Sequence, residues 1–294
     1  MTHPTPARGL IALLRLPYWL MTGGLSLLTA FAIEKSPFDI SIPSVVLIFF
    51  SMAFITSAGF AINDYYDRES DALIKPKRPI PSGALSLKQV VAVSGLLFAL
   101  GLVMSYFINW LSFAIIAADS LLLLLYSYLV KRKSGFAANV LVGILTGTAF
   151  MYGEATITNT VSLISLSLYP IAFGTIGGNV LRDILSLEGD SKTGYPTLPQ
   201  KIGNTNSTKV AAVFFIATGV LAPLPFFLGK FTVYYLPLIL LWSALLIYAS
   251  VRLVVSSSTA LNVRKYERIV TMSMILLPLA LIIEALSPVI GGLV

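Results

Sequence analysis

Asn63-Asp64-Tyr65-Tyr66-Asp67-Arg68-Glu69-Ser70-Asp71 packs four acidic side chains and an asparagine into nine residues, directly behind an apolar run long enough to cross a bilayer. Carboxylates beside hydrocarbon are costly and need a partner. A second cluster, Asp183 through Glu188 to Asp190, again follows an apolar run. Two such clusters in one hydrophobic chain point to a shared cargo, most simply divalent cations holding a polyphosphate.

The rest of the chain agrees with a membrane setting. Of 294 residues, 56% are hydrophobic and 11% charged, against about 25% charged in a soluble domain. The mean hydropathy is +0.87. Repeated long apolar runs predict an all-α polytopic membrane protein, not the ten-residue alternation of a β-barrel. Cysteine is absent and the one histidine is His3, so haem, iron–sulfur and Cys/His zinc sites are excluded. Any metal must be held by oxygen, which favours Mg2+, Mn2+ or Ca2+. No cleavage site follows the first apolar run, which is read as retained.

Nine spans are predicted, at roughly 17–34, 43–63, 87–107, 110–130, 136–155, 161–181, 208–229, 232–254 and 267–287, each near the ~20 residues a bilayer requires. With the N-terminus cytoplasmic, eighteen of the twenty Lys and Arg residues sit at inner ends and only Lys35 and Lys230 outside. Nine spans then put the C-terminus outside. The net charge of +7 needs no nucleic acid: the positive-inside bias and anionic lipid headgroups account for it. No obligate protein partner is implied.

Both acidic clusters fall on the cytoplasmic side, after spans two and six. Each leads into a basic loop with Pro and Gly, Lys75–Gly83 and Lys192–Pro199. That matching predicts a single domain over 1–294, with duplicated halves at about 17–130 and 136–254 and a ninth helix added. The loop at roughly 64–86 is long and without an apolar core of its own, as lids and binding loops are. If span two continues as helix, Asn63, Asp67 and Asp71 recur every fourth residue on one face, with Asp64 slightly rotated. Asp183 and Asp190, two turns apart, also share a face, and Glu188 lies off it. Such stacked carboxylates want a cation between them. An isolated acidic loop would be read as a solvated helix end; two at matched helix positions would not. The basic residues Arg68, Arg78, Lys131, Arg132 and Arg182 are explained equally well by the positive-inside rule or by charge neutralisation of a departing diphosphate. Asp119, in the middle of span four, is read as a hydrogen-bonding contact to a neighbouring helix. Asn139 is read in the same way, or as reaching the cavity.

At these residues the chain resembles the UbiA superfamily of intramembrane prenyltransferases. The motif is Asn63-Asp64-x-x-Asp67-x-x-x-Asp71, with a second acidic motif after span six, and the likeness covers essentially the whole chain. It implies nine helices in a bundle around a central cavity, capped by cytoplasmic loops. It also implies Mg2+-dependent transfer of a prenyl group from its diphosphate to a lipophilic acceptor. By this resemblance Asn63, Asp67 and Asp71 would hold one Mg2+, with Asp64 supporting, and Asp183 and Asp190 the second. Arg68, Arg78, Lys131, Arg132 and Arg182 would meet the diphosphate. Asp64, Asp71 and Arg68 are the candidate catalytic residues. Arg78-Pro79-Ile80-Pro81-Ser82-Gly83 and Glu188-Gly189-Asp190 resemble the archaeal digeranylgeranylglyceryl phosphate synthases, which build ether lipids from geranylgeranyl diphosphate. Ser186 stands where their second motif has an aspartate, as in chlorophyll synthase-like members. The alternatives are an aromatic or tetrapyrrole acceptor and, in a different class, a cation-coupled transporter. Transporter sites usually sit near the bilayer midplane, whereas these acids lie at helix ends.

Overall fold

The computed structural model describes residues 5–292. His3 and the chain's C-terminal end lie outside them. Among the described residues there is no strand, and nine helices are long and apolar enough to cross a membrane. They run Pro6–Glu34, Ile42–Tyr66, Leu87–Tyr106, Trp110–Lys133, Gly135–Thr158, Leu163–Thr193, Leu198–Phe227, Val233–Val255 and Ala260–Ala285.

Their starts carry short polar caps. The Ser41, Asn109, Ser134 and Thr259 side chains accept the exposed N–H groups of the second, fourth, fifth and ninth helices. Ser86 and Gln89 cap the third reciprocally. Glycine permits the closest crossings. A Cβ at Gly23 would lie 2.4 Å from the Phe49 carbonyl oxygen, and one at Gly153 would lie 2.5 Å from that of Ser26. The first helix is thereby held against the second and the fifth, as small residues allow within a membrane. One large apolar core joins the fifth to the ninth helices around Phe150, Phe215, Tyr235 and Trp242. A smaller one joins the first, second, fourth and fifth around Ile48, Ile55, Ile116 and Tyr152.

All nine predicted spans are present, but several extend into polar sequence. The sixth continues without interruption to Thr193, where Gly194 turns the chain at φ 73°, so Asp183 and Asp190 stand on one helix, as their two-turn spacing predicts. The seventh begins at Leu198, about ten residues early, with a kink at Gly203. The first has an additional segment, Pro6–Leu14, separated by Arg15 in the left-handed conformation (φ 50°, ψ 51°). The stretch expected as a long loop after the second helix is mostly folded. A helix over Arg68–Ile74 is followed by turns that close with Leu85 N–H donating to the Pro79 carbonyl. Leu85 and Ile80 pack there on Leu13, Ala61 and Val90, so the segment does have an apolar anchor.

Candidate functional site

The site forms where the second, fourth and sixth helices end and the fifth begins. At the end of the second helix, Asp67 joins the two helical pieces without breaking the backbone ladder: Asp67 N–H donates to Asn63 O at 2.9 Å and Asp71 N–H to Asp67 O at 2.8 Å. Asn63, Asp67 and Asp71 therefore keep the predicted helical spacing. Asp64, Asp67 and Asp71 are 3%, 5% and 3% exposed. Burial on that scale demands compensation, and each carboxylate has it. Asp64 accepts from Arg15 at 2.5 Å and from Arg78 at 3.0 Å. Arg78 also donates to Asp71. Asp67 accepts from Lys131 Nζ, from the Tyr195 hydroxyl and, at 2.8 Å, from Asn63 Nδ2.

The second cluster faces the first. Asp183 accepts from Asn139 of the fifth helix at 2.8 Å, and Asp190 accepts from Ser186 at 2.5 Å. Asp67, Asp71, Asp183 and Asp190 line one cavity of about 210 Å³, together with Lys131, Arg78, Lys75, Tyr126 and Tyr195. Gly135 N–H donates to the Pro196 carbonyl at 3.0 Å, tying the loop that carries Tyr195 to the start of the fifth helix. A π-helical turn at Tyr126–Val130 resets the fourth helix just before Lys131, a distortion common at functional sites. Burial opposes the charge on Arg78, but the Asp64 and Asp71 carboxylates outweigh it and raise its pKa. Burial first, then the adjacent Arg78, pulls the Lys75 ammonium below the ordinary lysine value. Burial pushes the Tyr195 phenol up, keeping it a donor.

Of the residues singled out by sequence, Asp67, Asp71, Asp183, Asp190, Arg78 and Lys131 meet in this cavity. Asn63 stands behind Asp67. Asp64 lies on the far side of Arg78. Arg68, Arg132 and Arg182 do not line the cavity. Arg68 lies over the Tyr65 ring and donates to the Tyr65 carbonyl, Arg132 lies over Tyr66, and Arg182 pairs with Asn179 and Glu267. Their helical phase turns them outward. Glu188 is likewise outside, paired with Lys192. Asp119 accepts from Thr148 of the fifth helix at 2.8 Å, the interhelical contact expected of it. Sequence reasoning missed Arg15 and Tyr195: the positive-inside rule had absorbed the first, and no periodicity marked the second.

These residues suit a magnesium-type ion. Every candidate ligand is an oxygen, and Asn63 Oδ1 is buried without a hydrogen-bond partner. Among the described residues no three acidic side chains converge closely enough to enclose a metal alone. Mg2+ usually takes one or two carboxylates and completes its shell with water and substrate phosphate, so a bound diphosphate would supply the rest.

Comparison with known proteins agrees with this geometry. The model of the UbiA prenyltransferase family matches residues 20–277. The digeranylgeranylglyceryl phosphate synthase of Natronomonas pharaonis is 36% identical over 231 residues, 78% of this chain and 81% of that one. Its counterpart from Methanocaldococcus jannaschii is 35% identical over 245 residues, 83% and 85% of the two chains. A solved structure concerned with digeranylgeranylglyceryl phosphate synthase in membranes matches with a TM-score of 0.81 at 29% identity, covering 96% of this chain and 99% of that one. A UbiA homolog from Archaeoglobus fulgidus, solved with DMAPP and Mg2+, shares the fold at a TM-score of 0.67 and 21% identity, over 92% and 98% of the chains. With the family match spanning most of its length and both acidic motifs meeting in one cavity, this chain belongs to the UbiA prenyltransferase family.

Proposed function

We propose that this prenyltransferase moves a geranylgeranyl group from its diphosphate to the free hydroxyl of geranylgeranylglyceryl phosphate, an ether-forming step in archaeal lipid synthesis. The observation that carries the chemistry is the meeting of four carboxylates and three cations, Lys75, Arg78 and Lys131, in one cavity at the end of a hydrophobic bundle. The acceptor is supported by relatives named as digeranylgeranylglyceryl phosphate synthases, 36% and 35% identical over about four fifths of the chain.

In the proposed reaction the bond between C1 of the donor and the diphosphate oxygen breaks, and the diphosphate leaves. The acceptor hydroxyl oxygen forms a bond to C1 and loses its proton. Lys131 and Arg78 neutralise the leaving group, since donors already in place act strongly where water is excluded. Asp71, which lines the cavity, would take the proton. Asp64, held by two guanidiniums, supports the position of Arg78. Asn63, Asp67 and Asp71 would hold one Mg2+, and Asp183 and Asp190 a second. When bound, the metal would draw charge off the diphosphate oxygens. Arg68, Arg132 and Arg182 serve the inner surface by charge and not the reacting groups. The positive-inside bias supports a cytoplasmic N-terminus and a cytoplasmic site. The matched motifs also support a parallel duplication over about 17–130 and 136–254.

The test is an assay of the purified protein with geranylgeranyl diphosphate and a panel of acceptors. Geranylgeranylglyceryl phosphate should be consumed, EDTA should stop turnover, and Mg2+ should restore it. Preferential use of homogentisate, dihydroxynaphthoate or chlorophyllide would overturn the acceptor assignment.

A further inference from the structure

Beyond Arg78 lies a second, more open cleft of about 500 Å³. Its charge comes from Arg15, Lys75, Lys77 and Arg78, and Asp64 is the one carboxylate lining it. Arg15 and Arg78 are engaged with Asp64, and Arg78 also with Asp71. Lys75 and Lys77 make no ion pair among the described residues. The cleft is therefore left with two positive charges in excess.

The chain spends backbone strain on this cleft. Arg15 is a non-glycine residue in the left-handed region, an arrangement that costs energy and is concentrated at functional sites. Its guanidinium lies 4.3 Å from the Phe60 ring centroid. The break beside it is pinned by two bonds: Trp19 Nε1 donates to Ser57 Oγ at 2.6 Å, and Ser57 Oγ donates to the Leu14 carbonyl at 2.6 Å. The segment before the break brings Ala12 to the cleft and exposes Leu10 and Ile11. A cationic cleft is thus set beside exposed apolar side chains, matching an amphiphile with an anionic head.

We propose that this cleft binds the phosphomonoester of the lipid acceptor, apart from the cavity that takes the donor diphosphate. The proposal rests on the acceptor reading above. Arg78 forms the wall between the two compartments, touching Asp64 on one side and Asp71 on the other. In a glycerol carrying one prenyl ether and one phosphate, the free hydroxyl belongs to the same three-carbon unit as the phosphate. A phosphate held in the cleft therefore delivers that hydroxyl to the Arg78 wall, next to the departing diphosphate. Lys75 and Arg78 line both compartments, while Arg15 and Lys77 line the cleft alone and Lys131 the cavity alone.

Lys77 tests this, because it is exposed, forms no ion pair among the described residues and does not line the diphosphate cavity. The full chain, in nanodiscs of zwitterionic lipid, is assayed as wild type, Lys77→Gln and Lys77→Glu, with melting temperatures taken alongside. The wild type should use geranylgeranylglyceryl phosphate in preference to geranylgeranylglycerol. In Lys77→Gln the KM for the phosphorylated acceptor should rise about tenfold, the scale of a lost charge-assisted hydrogen bond. Lys77→Glu should raise it further. The KM for geranylgeranyl diphosphate should stay within about twofold in both, and the KM for geranylgeranylglycerol should not follow the change. An acceptor KM unchanged in both variants overturns the proposal while leaving the acceptor reading intact. So does an effect that appears only after anionic phospholipid is added, which would make the cleft a reader of bilayer headgroups. A wild type that ignores geranylgeranylglyceryl phosphate overturns both.

Discussion

At the end of the second helix every carboxylate is already paired with a cation, whereas Asp183 and Asp190 at the end of the sixth have only neutral partners, Asn139 and Ser186. The first cluster is also the more deeply buried; Asp183 and Asp190 are partly exposed. The two halves of one cavity thus stand in different electrostatic states. In the first, Arg15, Arg78 and Lys131 join four elements, so its charges hold the fold together and prepare the site at once. In the second, the carboxylates face the cavity with unspent charge, available for an incoming cation.

The difference is open to direct attack. Asp67→Ala should have the largest effect: prenyl transfer falls below detection, and the protein also melts earlier. Leaving Lys131 without its partner is expected to cost up to about 3 kcal/mol, since a broken ion pair strands a charge. A thermal scan in detergent beside a radiolabelled transfer assay checks both halves of that statement. Asp183→Asn and Asp190→Asn should each lower kcat by about 10²-fold or more, on the scale of losing a main charge-stabilising group, with a melting temperature near that of the wild type. An equal loss of stability in the Asp67 and Asp183 variants would erase the proposed division between the clusters. Lys131→Met should come next. It removes the proposed leaving-group cation and should lower kcat by about 10²-fold, and excess Mg2+ should recover part of the loss. Asp119→Asn, which keeps the hydrogen bond from Thr148, should change transfer by less than about threefold. A larger loss would draw that buried carboxyl into the reaction.

The same contrast separates what could be read from sequence and what could not. The second helix ends in a sharp change from apolar to acidic residues, so the Asn63–Asp71 face followed from periodicity alone and is present in the structure. The apolar run stops short of Asp183, but the two-turn spacing of Asp183 and Asp190 already read as one helical face, and the helix does reach Thr193. The Lys192–Glu188 pair at i, i+4 and the stop at Gly194 also signal a helix there. The cations were the hardest to assign. Arg68 and Arg78 belong to one short segment, yet one lies over Tyr65 outside and the other bridges Asp64 and Asp71 within. Charge at a membrane surface satisfies the positive-inside rule whichever way a side chain points, and phase after a break cannot be counted through it. Arg15 and Tyr195 reach Asp64 and Asp67 over 49 and 128 residues of chain. Only the packed bundle reveals contacts of that kind.

The central claim is that both clusters grip one metal-bound diphosphate, and counting metal ions tests it most directly. Mn2+ bound to the purified protein can be counted by electron paramagnetic resonance in the presence of an unreactive thio-analogue of geranylgeranyl diphosphate. The wild type should bind two ions per chain, and Asp183→Asn/Asp190→Asn should lose one of them. Two ions held as tightly in that double variant as in the wild type would contradict the account.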